Sequence, residues 1–154
     1  MIISLSGSQL VSEFINRLKS FSKYSVTRSP ISRNIFQFSG SSNFLIYVKG
    51  RAKEPHKWGV TKNVINRLQA QSMPWFVILL FDTPETGFLL TENDVRNYIS
   101  SVWPLGNDGD YKPATGTYLL NNSPFDSIYM LIDQIEWHIK TYNISDAQGT
   151  TENP

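Results

Sequence analysis

The chain is predicted to form a single α/β domain with a core of one helix, three strands, a second helix and a fourth strand. A mixed central sheet flanked by helices and a C-terminal helical extension complete the expected architecture. Three observations predict it. Ser6 and Gln9 have the form of a capping box ahead of apolar residues at helical spacing. Two β-rich stretches flank the turn Ser39-Gly40-Ser41-Ser42-Asn43 and read as a hairpin. Behind an amphipathic helix, Trp75-Phe76-Val77-Ile78-Leu79-Leu80-Phe81 is apolar without alternation, as a central parallel strand covered on both faces requires.

The elements follow in order. Leu10, Phe14, Leu18 and Phe21 place one face of the first helix on the core. Residues 24–28 and 33–38 read as extended, separated at Ser29-Pro30, where proline excludes a helix. Phe44-Leu45-Ile46-Tyr47-Val48 is the third strand, so residues 33–49 form the hairpin. A charged loop, 50–57, leads to a helix over residues 58–71, with Val60, Val64 and Leu68 four apart and Ile65 beside them. With Trp75–Phe81 this makes a right-handed βαβ unit. Gly87-Phe88-Leu89-Leu90 follows the Thr83–Thr86 turn as a short strand. Thr91 caps a helix through Val102, with Asp94 in its first turn. Residues 104–117 read as a long loop. Ser123-Pro124 starts a last helix carrying Phe125, Ile128, Ile132, Ile135 and Ile139 and ending near Asn143. The domain is expected to span residues 1–144, with 145–154 a disordered tail.

The chain has 154 residues and no cysteine, which excludes thiol catalysis, cysteine-bound zinc and disulfides and favours a reducing compartment. Its first residues lack the pattern of a signal peptide, and its longest apolar run is too short to span a bilayer. A cytoplasmic protein without membrane association is the expectation. The net charge of +1 conceals an asymmetry. Up to Phe81, eleven basic residues face two acids, +9; from Asp82 onward, three face eleven, −8. The basic half suggests a polyanion-binding surface, with nucleic acid the usual partner. The alternative is a protein-interaction module, in which the two halves attract each other within a monomer, across a homodimer or against a partner protein.

The element order and the stretch from Asn34 to Arg51 resemble the PD-(D/E)XK nuclease-like, or restriction-endonuclease-like, superfamily over about half the chain, residues 6–81. In that family an Asp opens the second strand, and Glu-x-Lys followed by a small residue and Arg closes the third. The resemblance implies a divalent cation, Mg²⁺ or Mn²⁺, activating water at a phosphate, with the lysine orienting the nucleophile. Lys49 falls on the lysine position, Tyr47 on the Glu position and Asn34 on the Asp position; Glu13 falls where some members place an additional metal-binding carboxylate. An amide and a phenol replace two carboxylates, so the site is degenerate. The expected function is nucleic-acid binding, DNA or RNA, as an accessory or recognition subunit in DNA processing. An active metal-dependent endonuclease using Glu13 and Lys49 is the alternative.

The loop after the third strand concentrates Lys49, Arg51, Lys53 and Lys57 beside Trp58, with Lys62 following. These cations are expected to contact phosphates, and Trp58 either stacks on a base or packs into the core. Glu54 and His56 are an acid and a base two residues apart on a loop, a spacing that fixes no geometry. His138, next to Trp137, reads as a surface residue. Asp108-Gly109-Asp110 lacks the downstream Glu of a calcium loop and reads as a turn. Neither a phosphate-cradling glycine loop nor a nucleophile elbow is present in the sequence.

Overall fold

The computed structural model describes residues 5–21, 24–115 and 120–151, with side chains at all of these positions except 21 and 142–151. Lys23, Thr117, the Phe21 side chain and residues 152–154 lie outside the described set.

Helix α1 (Gly7–Phe21) starts at the expected capping box: the Ser6 N–H donates to Gln9 Oε1 at 2.7 Å, and the Gln9 N–H to Ser6 Oγ at 3.2 Å. Strands β1 (Ser25–Arg28), β2 (Ile35–Ser39) and β3 (Phe44–Arg51) follow. After them come β4 (Val60–Thr61), α2 (Lys62–Gln69), β5 (Trp75–Phe81), β6 (Gly87–Thr91), α3 (Glu92–Ser101), β7 (Asp110–Tyr111) and α4 (Ile128–Thr151). The main sheet is ordered β1-β2-β3-β5-β6; β3 and β5 are parallel and the other neighbours antiparallel. The mixed sheet and its parallel crossover are therefore as the hydrophobic pattern predicts.

Both faces of the central strands are covered. Phe44, Ile46, Val48, Phe76, Ile78 and Leu80 join the buried side chains of α1 and α4. Leu45, Tyr47, Trp75, Val77 and Leu79 join those of α2 and α3 on the other face. This alternation within an unbroken apolar run is the period-2 geometry of a strand with no wet side. The outer strands are β1, mostly exposed, and β6, whose outer side carries an isolated bridge from Gly87 to Phe125. Among the described residues, no helix is long and apolar enough to cross a membrane.

Three boundaries differ from expectation. Helix α2 starts at Lys62 instead of Trp58, because Val60 and Thr61 pair with Asp110 and Tyr111 as a two-stranded sheet, leaving Thr61 at the N-cap. That pairing also orders the middle of the expected long loop. Helix α4 starts at Ile128: Phe125 exchanges backbone hydrogen bonds with Gly87, and Ser127 Oγ then accepts the Met130 N–H at 3.1 Å. At its far end α4 continues to Thr151, beyond Asn143 and through much of the stretch expected to be a disordered tail. No proline interrupts that stretch before Pro154, so its polar composition alone does not stop a helix.

Candidate functional site

One stripe of α1 from Gly7 to Lys19, the residues on either side of the β1–β2 turn and the end of β3 border a common space. They enclose a pocket of about 610 Å³. Lys19, Arg28, Arg33 and Lys49 line it, together with Asn16 and Asn34, and no carboxylate is in its lining. Each cation arrives from a different local cause. Val11, Ile15 and Lys19 line the pocket at four-residue spacing on one stripe of α1. Arg28 ends β1, and its guanidinium lies over the Phe36 ring, 5.5 Å from the centroid. Arg33 precedes β2. Asn34 is held where its carbonyl accepts the Val48 N–H at 3.0 Å, next to Lys49 on β3.

Lys49 is half-buried, and burial is the main cause that pulls its pKa below the ordinary lysine range. Asp110 opposes this shift and Arg33 adds to it. Four cationic residues thus border one concave surface, with Arg33 near enough to Lys49 to repel it, an arrangement that an anion relieves.

A closely packed junction borders the pocket. A Cβ on Gly7 would run into the Gly50 carbonyl oxygen, and a Cβ on Gly50 into that of Gly7. The start of α1 and the end of β3 therefore touch backbone to backbone, which only glycine permits. A second, separate pocket of about 410 Å³ also borders these two glycines and is lined by Arg51 and Lys53.

Of the four residues that the resemblance puts in a catalytic site, Asn34 and Lys49 both border the pocket, but Asn34 is bonded to Val48 on the α1 face of β3, whereas Lys49 follows Leu45 and Tyr47 on the α2 face. Glu13 is exposed and outside the pocket lining; one turn on, Arg17 pairs with Glu85 at 3.3 Å. Tyr47 is buried at 1% exposure, and its hydroxyl accepts the Thr61 N–H at 3.3 Å. Burial, its largest cause, raises the Tyr47 pKa; its contacts with Thr61 lower it and Asp110 raises it. Both residues are thus removed from the position of a metal ligand. Lysines, arginines and amides do not suit a hard divalent cation, which needs carboxylate oxygens. Among the described residues, no group of three or more His, Asp or Glu could hold a metal ion. The pocket residues do not fit Mg²⁺ or Mn²⁺.

The loop cations divide. Arg51 and Lys53 line the second pocket, and Arg51 Nε donates to the Lys53 carbonyl at 3.2 Å. Lys57 and Lys62 are exposed but line neither pocket. Trp58 does not offer its ring to a base. It is 3% exposed, and its Nε1 donates to the Leu80 carbonyl at 2.9 Å. His56 is also buried, and its partner is Asp82, not Glu54: Nε2 lies 2.8 Å from Asp82 Oδ1, and the ring lies 5.1 Å from that of Phe81. His138 is half-buried near Phe76, and burial lowers its pKa against the opposing charge of Asp94.

Lys19, Arg28 and Arg33 entered the sequence reading only as charges. The four-residue step from Val11 to Lys19 is the one local signal that points Lys19 to the pocket. No protein-family model matches the chain, and no curated protein matches its sequence.

Proposed function

We propose that this protein binds nucleic acid through the pocket between α1 and the ends of β1, β2 and β3, and that it serves as a recognition or accessory subunit in DNA processing. The observation that carries the reading is the convergence of Lys19, Arg28, Arg33 and Lys49 on one pocket without a carboxylate in its lining. Among the described residues, none of the four forms an ion pair. Asp110 acts on Lys49 alone; like charges gathered at one pocket cost stability, and binding to phosphate offsets that cost.

We assign the scaffold to the restriction-endonuclease-like arrangement, with a degenerate site. The order helix, three strands, helix, strand supports this, as does the place of Lys49 near the end of β3 with Asn34 beside it. On this reading the chain binds without cutting.

The test is a fluorescence-anisotropy titration of labelled DNA and RNA at increasing salt, paired with incubation of plasmid in Mg²⁺ and Mn²⁺. Salt-dependent binding without nicking is the expected result. The variant Lys19→Glu with Arg33→Glu should lower the slope of log K against log salt by up to roughly 0.9 per lost contact on duplex and roughly 0.7 on a single strand. A wild type with no salt-dependent affinity for any nucleic acid refutes the proposal.

A further inference from the structure

We infer that two copies of this protein associate through the outer side of α4, antiparallel to each other across a two-fold axis near Trp137. This face is separate from both cationic pockets, and the inference stands apart from the nucleic-acid reading. Helix α4 already buries one side: Leu131, Ile132, Ile135 and Ile139 belong to the core. A surface helix needs apolar residues only there. Yet Tyr129, Met130 and Trp137, three of the four large apolar side chains exposed among the described residues, belong to the same helix. Met130 and Trp137 are seven residues apart, two turns, and so share its outer side. Trp137 is 61% exposed, whereas Trp58, Trp75 and Trp103 are all 5% exposed or less. Apolar side chains gathered in this way mark a contact surface.

The charges beside Trp137 say what covers it. Asp133 stands four residues before it and Lys140 three residues after it, roughly 6 and 4.5 Å along the helix axis, on the same side. Both are exposed, and among the described residues neither forms an ion pair. A parallel second helix would set Asp133 against Asp133 and Lys140 against Lys140. An antiparallel one sets each Asp133 against the partner's Lys140, twice, and brings the two Trp137 rings together between these pairs. The stripe is therefore complementary to itself in one orientation, which is the orientation that a two-fold axis across the helix produces. Such a contact closes on itself, so it yields a dimer and not a filament.

The experiment follows mass by sedimentation velocity from low micromolar to several hundred micromolar protein, with acrylamide quenching of tryptophan emission at each concentration. The other three tryptophans are buried, so quenching reports Trp137. Mass should rise from monomer to dimer as quenching falls. Trp137→Ala should raise the dimer Kd at least roughly tenfold. Asp133→Lys alone, or Lys140→Asp alone, should raise it several-fold, because like charges then face each other at two symmetry-related places. The exchange Asp133→Lys with Lys140→Asp should return it to within about threefold of wild type. Circular dichroism and thermal unfolding establish that each variant is folded, as these exposed positions allow.

A monomer at every concentration overturns the inference. So does a dimer in which Trp137 is quenched as in the monomer, a dimer that Trp137→Ala leaves intact, a charge exchange that restores nothing, or a mass that grows past the dimer. None of these outcomes bears on the nucleic-acid reading.

Discussion

His56 Nε2 lies 2.8 Å from Asp82 Oδ1, which ties the loop after β3 to the residue that follows β5. Asp82 holds a backbone φ of 64°, a conformation that Asp tolerates and β-branched residues do not. His56→Ala is expected to cost about 1–3 kcal/mol through the lost hydrogen bond and the space left beside Phe81. Asp82→Asn keeps an acceptor oxygen and should cost less than Asp82→Val, which adds backbone strain of about 1–3 kcal/mol. Urea denaturation of the three variants checks the order, and equal losses for Asn and Val would contradict it.

Lys49 is expected to be a cost to folding at neutral pH. Its pKa is lowered in the folded protein, chiefly by burial, so between that lowered value and the ordinary lysine pKa of about 10.4 the unfolded chain holds more protons. The stability contribution therefore rises as pH rises through this window and is lost as pH falls through the folded pKa. Lys49→Met should be as stable as wild type or more stable near pH 7, should lack the alkaline rise, and should bind nucleic acid more weakly. A loss of roughly 2–5 kcal/mol in this variant would identify Lys49 as a structural charge instead.

Tyr47→Phe separates a core residue from a site residue. Removing the hydroxyl takes away the acceptor of the Thr61 N–H at the N-cap of α2, so a loss of about 1–2 kcal/mol is expected. Nucleic-acid affinity should not change, because Tyr47 lies outside both pockets. A selective loss of binding with unchanged melting temperature would show that the phenol reaches the ligand.

His138 gives an acid-side prediction. Burial lowers its folded pKa, so as pH falls below about 6.5 the unfolded chain takes up the proton first, and stability drops as pH approaches the folded value. Solvent screening at this half-exposed position keeps the effect small. Melting temperatures between about pH 7.5 and 5 should fall less steeply in His138→Gln than in wild type. Parallel curves would show that other groups carry the acid sensitivity.

What was legible in the sequence is what local chemistry decides. Ser6 and Gln9 cap α1, Thr91 and Asp94 cap α3, and the apolar run of β5 declares its two covered faces. The start of α2 was not legible because Val60 and Thr61 answer to Asp110 and Tyr111, partners far along the chain. Trp58 misleads for a similar reason. An aromatic residue beside lysines reads alike whether it points outward or inward, and only the bond to Leu80 decides. Around the pocket, Lys49 and Asn34 entered through the resemblance, whereas Arg28 and Arg33, five positions apart on either side of the β1–β2 turn, join its lining only through the pairing of the strands.

The strand order also bears on how the protein behaves when concentrated. Sheets grow into fibrils by adding chains to an open side, and here the two outer strands resist such growth. β1 is four residues long, Ser-Val-Thr-Arg, and ends in a charge; β6 is five, with Phe125 bridged to its first residue. The most aggregation-prone segment of the chain, Trp75–Phe81, lies between β3 and β6 and is exposed only on unfolding. Storage losses should therefore follow heat or denaturant exposure rather than protein concentration in the folded state.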